Sequence, residues 1–172
     1  MRAALAGLLM LVCAAAAAQP LEHEVKAAFV FKFLSFVDWP AQSFAAADTP
    51  LAIGVLGADE VLAELNGIVS DRSAQNRPVR VRALREGERP AGLHLVFVGR
   101  AAAAQIPRLA ALPGVLVVSE SEGALEQGAM VNFVRVDGRV RFEVAPEQAE
   151  RRGMRISSRM LAVAQRVKPG RL

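Results

Sequence analysis

Short apolar runs and amphipathic stretches alternate along the chain. Leu51 to Leu56 ("LAIGVL"), Leu93 to Val98 ("LHLVFV") and Val115 to Val118 are unbroken apolar runs of strand length. Runs of that length between turn residues are the pattern of strands buried on both faces. Val79 and Val81 alternate with Arg80 and Arg82, which predicts a half-exposed strand. Helical spacing fills the intervals. Val25 to Val37 carries a Val25, Phe29, Phe33, Phe36 stripe widened by Val30, Leu34 and Val37, and must end before Trp39-Pro40. Ala58 to Leu65 turns Val61, Leu62 and Leu65 inward and stops at Asn66-Gly67. Ala101 to Leu112 is helical with an interruption near Pro107.

The last third changes period. "GAMVNFVRVDGRVRFEVA", Gly128 to Ala145, alternates on both sides of Asp137-Gly138. An Asp-Gly pair between alternating arms is a type I′ hairpin signal. That turn sets Val136 opposite Arg139, Val134 opposite Arg141, Phe133 opposite Phe142 and Asn132 opposite Glu143. One face holds Val131, Phe133, Val140, Phe142 and Val144. The other holds Asn132, Val134, Val136, Arg139, Arg141 and Glu143. Arg141 and Glu143 stand two apart on that face and can pair with each other. Pro146 then opens a short helix that Gly153 ends. Ser157 caps a last helix running to about Val167, with Met160, Leu161, Ala164 and Val167 inward.

Strands alternating with helices imply crossover units and a mainly parallel sheet. The expected fold is α/β: a three-layer Rossmann-like sheet with helices on both faces and an antiparallel hairpin extension. A single domain over residues 19–172 is expected, with no linker and no repeat.

Composition adds a destination. The chain has 172 residues, 53% hydrophobic and 22% charged, which excludes a disordered tail protein. Arg2, the apolar run Ala3 to Val12 and the small residues Ala16 to Ala18 form a signal-peptide pattern. Cleavage is expected before Gln19, so residues 1–18 are removed and the protein goes to the periplasm. The run is shorter than the ~20 apolar residues of a spanning helix. Cys13, the one cysteine, lies in this signal; lipidation of Cys13 is the alternative, and Val12 before it argues against that. The mature chain then has no cysteine for a disulfide, nucleophile or Cys-type zinc site. The net charge of +4 comes from three Lys and eighteen Arg scattered along the chain, a soluble surface and no nucleic-acid stripe.

Candidate chemistry is sparse. The chain lacks a GxxxxGK[ST] loop, a GxSxG elbow and an HExxH pair, so no catalytic residue, cofactor or metal is expected. Gly54 and Gly57 lack dinucleotide spacing and read as turn glycines. Ligands of open parallel sheets nevertheless sit beyond the carboxyl ends of the strands, where Gly57, Gly99, Arg100, Ser119 and Glu120 fall. His94, inside an apolar run, reads as a neutral core histidine. Trp39 reads as packing, or as a contact surface if exposed. Arg155 with Ser157 marks either a capped helix start or an anion site. The polar hairpin face is either ordinary cross-strand pairing or a partner patch.

Three stretches carry a resemblance. "FVFKFLSFVDWP" (Phe29 to Pro40), "GLHLVFVGR" (Gly92 to Arg100) and "GAMVNFVRVDGRVRFEVAPEQAERRGMRISSRMLAVA" (Gly128 to Ala164) together resemble the YfiR-like periplasmic proteins. The match covers roughly Glu22 to Val167. The resemblance implies a periplasmic α/β protein that is not an enzyme, and a tendency to form homodimers. It also implies binding to an inner-membrane signalling protein, since the best-known member restrains a diguanylate cyclase through the cyclase's periplasmic part. Some members carry a cysteine just before the central-strand histidine; this chain has Leu93 there, so disulfide-based control does not carry over. Trp39, Asn132, Arg141, Glu143 and Arg155 are the candidate partner- or ligand-binding residues. The alternative function is a small-molecule-binding module of a periplasmic sensor, with a pocket near Gly57, Gly99 and Ser119.

Overall fold

The computed structural model describes residues 21–169. The expected signal segment and Cys13 lie outside the described residues. In chain order the elements are α1 (Glu22–Phe33), β1 (Val37–Asp38), β2 (Leu51–Leu56), α2 (Asp59–Val69), β3 (Ser73–Ala74), β4 (Arg77–Ala83) and β5 (Leu95–Val98). A 3₁₀ segment (Arg100–Gln105) leads into α3 (Ile106–Ala110). Then follow β6 (Leu116–Ser119), β7 (Val131–Val136), β8 (Arg139–Val144), α4 (Pro146–Glu150), β9 (Arg155–Ile156), α5 (Ser158–Ala162) and β10 (Arg166–Val167).

The fold is mixed α/β around a mainly parallel sheet in the order β10-β8-β7-β6-β5-β2-β4-β3. β4, β2, β5, β6 and β7 run parallel to one another, while β3 joins β4 and β8 joins β7 antiparallel. β1 and β9 pair separately as a short antiparallel ribbon. β2 is the earliest parallel strand yet lies between β4 and β5, so the strand order reverses there. Two glycines make that junction possible. A Cβ on Gly99 would meet Gly57 O at 2.0 Å, and Gly57 itself has φ +66°. The expected turn glycine at Gly57 therefore serves close backbone approach as well.

The hairpin follows its predicted register residue for residue, with Asp137 at φ 49° and Gly138 at φ 73°. Both values are left-handed, as a type I′ turn requires. The Val/Phe face meets α1. Phe33 lies edge-on to Phe142 at 5.1 Å and stacks on Phe133 at 5.9 Å; Phe29 lies edge-on to Phe142 at 5.4 Å. Aromatic pairs in these geometries contribute about 0.5–1.5 kcal/mol each beyond their buried area. Glu22 and Glu24 in the first turn of α1 and Lys32 in its last complement the helix dipole.

Several boundaries differ from the expected ones. α1 ends at Phe33, and Val37 leaves the helix to join β1. α2 runs through Asn66-Gly67 to Val69; the Gly67 site is open, so nothing forces a stop there. The Ala101 to Leu112 segment begins as 3₁₀, and Pro107 opens the α-helical part. The last helix stops at Ala162, because Arg166 and Val167 leave it to pair in parallel with Glu143 and Val144. Ser157 does cap α5, its hydroxyl accepting from Arg159 N at 3.3 Å. No described helix is long and apolar enough to cross a membrane.

Candidate functional site

The five candidate residues separate into two groups at opposite ends of the sheet. Arg155 belongs to the ribbon and Trp39 directly follows its strand β1, where the parallel strands begin. Trp39 is only 8% exposed, and its indole N–H donates to His94 O at 3.0 Å. That removes it from the open surface considered for it. Arg155 faces Asp38 across the ribbon, Nε to Oδ2 3.4 Å, with both side chains exposed. His94 is the core histidine that the sequence predicts. Ala52 N–H donates to its Nδ1 at 3.2 Å, which leaves the proton on Nε2, 3.1 Å from Ser43 O. Burial pushes its pKa down, against the opposing pull of the Ser43 carbonyl, and Arg77 lowers it further. Phe44 stacks on the imidazole at 4.8 Å, and the Arg77 guanidinium covers Phe44 at 3.9 Å. This stack ties the loop after the ribbon to β5 and has the character of a structural clamp.

Asn132, Arg141 and Glu143 share one face of the hairpin by register, yet their environments differ. Arg141 is exposed, as is Arg139 beside the turn, and neither makes an ion pair among the described residues. Glu143 pairs with Arg166 through both oxygens, at 2.8 and 3.0 Å, and not with Arg141 as its spacing allows. β10 brings Arg166 directly alongside Glu143, and a planar guanidinium makes the two-point contact better than a neighbour two residues along a strand. Asn132 is not on a wet face at all: it is 5% exposed, and its Oδ1 is buried without a hydrogen-bond partner.

At the carboxyl ends of the strands lie two adjoining cavities of about 730 and 450 Å³. Glu22, Lys26, Arg100 and Glu120 line both; Asn132, Ser121 and Arg135 line the larger, and Gly57 the smaller. Of the residues that marked this location, Gly57 lines the smaller cavity, while Gly99 and Ser119 line neither and adjoin Arg100 and Glu120, which line both. Lys26 lies at the floor of this crevice, 5% exposed, the one buried cationic side chain among the described residues. Its ammonium donates to both Glu22 and Glu120. Glu22 also meets Arg135 at 3.1 Å. The Lys26 hydrogen bond holds the Glu22 carboxyl below the usual carboxylate range; burial opposes this, and the charges of Lys26, Arg135 and Arg100 reinforce it. Sequence reading missed Lys26. Its signal was the i, i+4 spacing of Glu22 and Lys26, but the distant partner Glu120 comes only from topology.

On the outer side of α1, His23, Glu24 and Glu64 each bring one donor atom within 4.8 Å of the others. His23 also stands 3.6 Å from a carboxylate oxygen of each of Glu60 and Glu64. An imidazole among helix-surface carboxylates is common without an ion.

Comparison with known proteins agrees with the resemblance in the sequence. No significant match was found among curated proteins. A family model described as YfiR/HmsC-like matches residues 23–165, which span α1 to the approach to β10. The chain belongs to the YfiR/HmsC-like family.

Proposed function

We propose that this protein is a periplasmic, non-enzymatic signalling regulator, exported by removal of residues 1–18, that binds the periplasmic part of an inner-membrane partner and restrains it. A diguanylate cyclase is the proposed partner. The observation that carries the reading is the family match across residues 23–165. The surface that suits it is the outer half of the hairpin, where Arg139 and Arg141 are exposed beside a rigid turn. Cations without partners on a fixed strand pair give a partner carboxylates to meet, chiefly steering encounter and orientation. The fold is read as a single three-layer Rossmann-like domain over residues 19–172, supported by the reversal of strand order at β2.

A photo-crosslinking residue at Arg139 or Arg141, used in intact cells, tests the reading. The expected product is an adduct with an inner-membrane protein, lost in Arg141→Ala. Adducts only between copies of the chain point to a homodimer face and away from receptor control. If Arg141→Ala and Glu143→Ala together leave signalling unchanged, the hairpin is not the contact surface.

The second reading is a small-molecule-binding module. The crevice at the strand ends, with the unpaired Asn132 carboxamide in its wall, favours it specifically. A thermal-shift panel of small metabolites at millimolar concentration, with no hit, would remove it.

A further inference from the structure

The larger cavity contains both satisfied and unsatisfied polar groups, and the unsatisfied ones form a pattern. Lys26, Glu22 and Arg135 are committed to one another and to Glu120. Arg100 spends only its Nε, on Glu120 O at 3.3 Å; its two terminal nitrogens make no hydrogen bond among the described residues. Glu122 is exposed and forms no ion pair among them. Asn132 Oδ1 is buried in the cavity wall with nothing donating to it. A buried acceptor left unmade is costly, and a persistent one points to a missing donor.

Three cations and three carboxylates line this cavity, so a polyanion or a simple cation would meet as much repulsion as attraction. The open groups are one guanidinium fork, one neutral acceptor and one carboxylate. They ask for a ligand with a single anionic group and several hydrogen-bond donors. We propose that the crevice binds a small polyhydroxy carboxylate, its carboxylate on the Arg100 fork and its hydroxyls donating to Glu122 and, once the Asn132 side chain turns toward the cavity, to Oδ1. A cavity of about 730 Å³ lies within the roughly 300–1,000 Å³ usual for metabolite sites. The inference rests on the ligand-binding reading above and narrows it to a chemical class.

Three probes on the chain from Gln19 onward test it: gluconate, which has both anion and donors; acetate, which lacks the hydroxyls; and glucose, which lacks the anion. Calorimetric titration and thermal shift are expected to detect gluconate alone at millimolar concentration. Asn132→Leu and Arg100→Gln should each weaken gluconate at least about tenfold, the scale of one lost hydrogen bond to a charged or buried group. Without ligand, Asn132→Leu should melt at the same temperature as the parent or higher, because an orphan acceptor is removed.

A clear fall in melting temperature for ligand-free Asn132→Leu overturns the inference, since it would mean that a resident water already satisfies Oδ1. Equal binding of acetate or glucose overturns the proposed class, as does gluconate binding that ignores both variants. A different metabolite whose binding ignores both variants overturns the inference and leaves the ligand-binding reading standing. No binding by any member of the metabolite panel removes both.

Discussion

The crevice floor and the hairpin tip are both charged, and they treat charge in opposite ways. At the floor, the Lys26 ammonium is shared by Glu22 and Glu120, and Arg135 closes onto Glu22. At the tip, Arg139 and Arg141 stand in solvent with no ion pair among the described residues. Burial explains the difference. A charge withdrawn from water must be matched on the spot, or the folded state bears its full desolvation cost. A charge in water loses little by standing alone, and stays free to meet something else. The floor is therefore organised around stability, and the tip has charge to spare for a partner.

The largest test of this contrast is Lys26→Met. It keeps the packing of the stem, strands Glu120 and leaves Glu22 to Arg135 alone, so urea denaturation should show a loss of about 3 kcal/mol. A loss below about 1 kcal/mol would make the floor no different from an ordinary surface pair.

Acid comes next. The Glu22 pKa is depressed in the folded protein, so its stabilising contribution is fully present above the ordinary carboxylate range and lost as pH falls through the folded value. The stability gap between the parent and Glu22→Gln should be widest near neutrality and close at acid pH. A gap that widens on acidification contradicts the assignment.

Arg166→Ala opens the Glu143 contact, which is exposed on the arginine side; the expected loss is below about 1 kcal/mol, measured in the same way. Arg141→Ala should change stability by less than about 0.5 kcal/mol while weakening capture of the partner. A large stability loss at Arg141 would erase the distinction between tip and floor.

The hairpin and the core strands were legible in the sequence because their signals are local. Asp137-Gly138 dictates a turn, the turn dictates the register, and the register sorts Phe133 and Phe142 from Asn132 and Glu143. His94 was legible too, since a polar ring inside an apolar run has few other homes. What stayed hidden depends on residues far apart in the chain. Glu143 finds Arg166 only because β10 returns to the sheet edge. Lys26 finds Glu120 across 94 positions. Alternation assigns Asn132 to a face but says nothing about whether that face is covered. Trp39 was read from its position after an apolar helix, and its burial is decided by the distant His94 carbonyl.

β10 has a consequence beyond the Glu143 contact. Sheet edges are where separate molecules zip together, and this sheet has two ends. At one end the short strand β3 covers only Arg77 and Pro78 of β4, and the rest of β4 carries Arg80 and Arg82, charged groups that discourage a neighbouring strand. At the other, β8 relies on two residues of the returning chain. Gln165 N and Lys168 N donate to Phe142 O and Val144 O, 2.8 and 2.7 Å away, and so occupy the carbonyls that a foreign strand would use. Those few residues leave the β8 edge with little open backbone for a strand of another molecule to pair with.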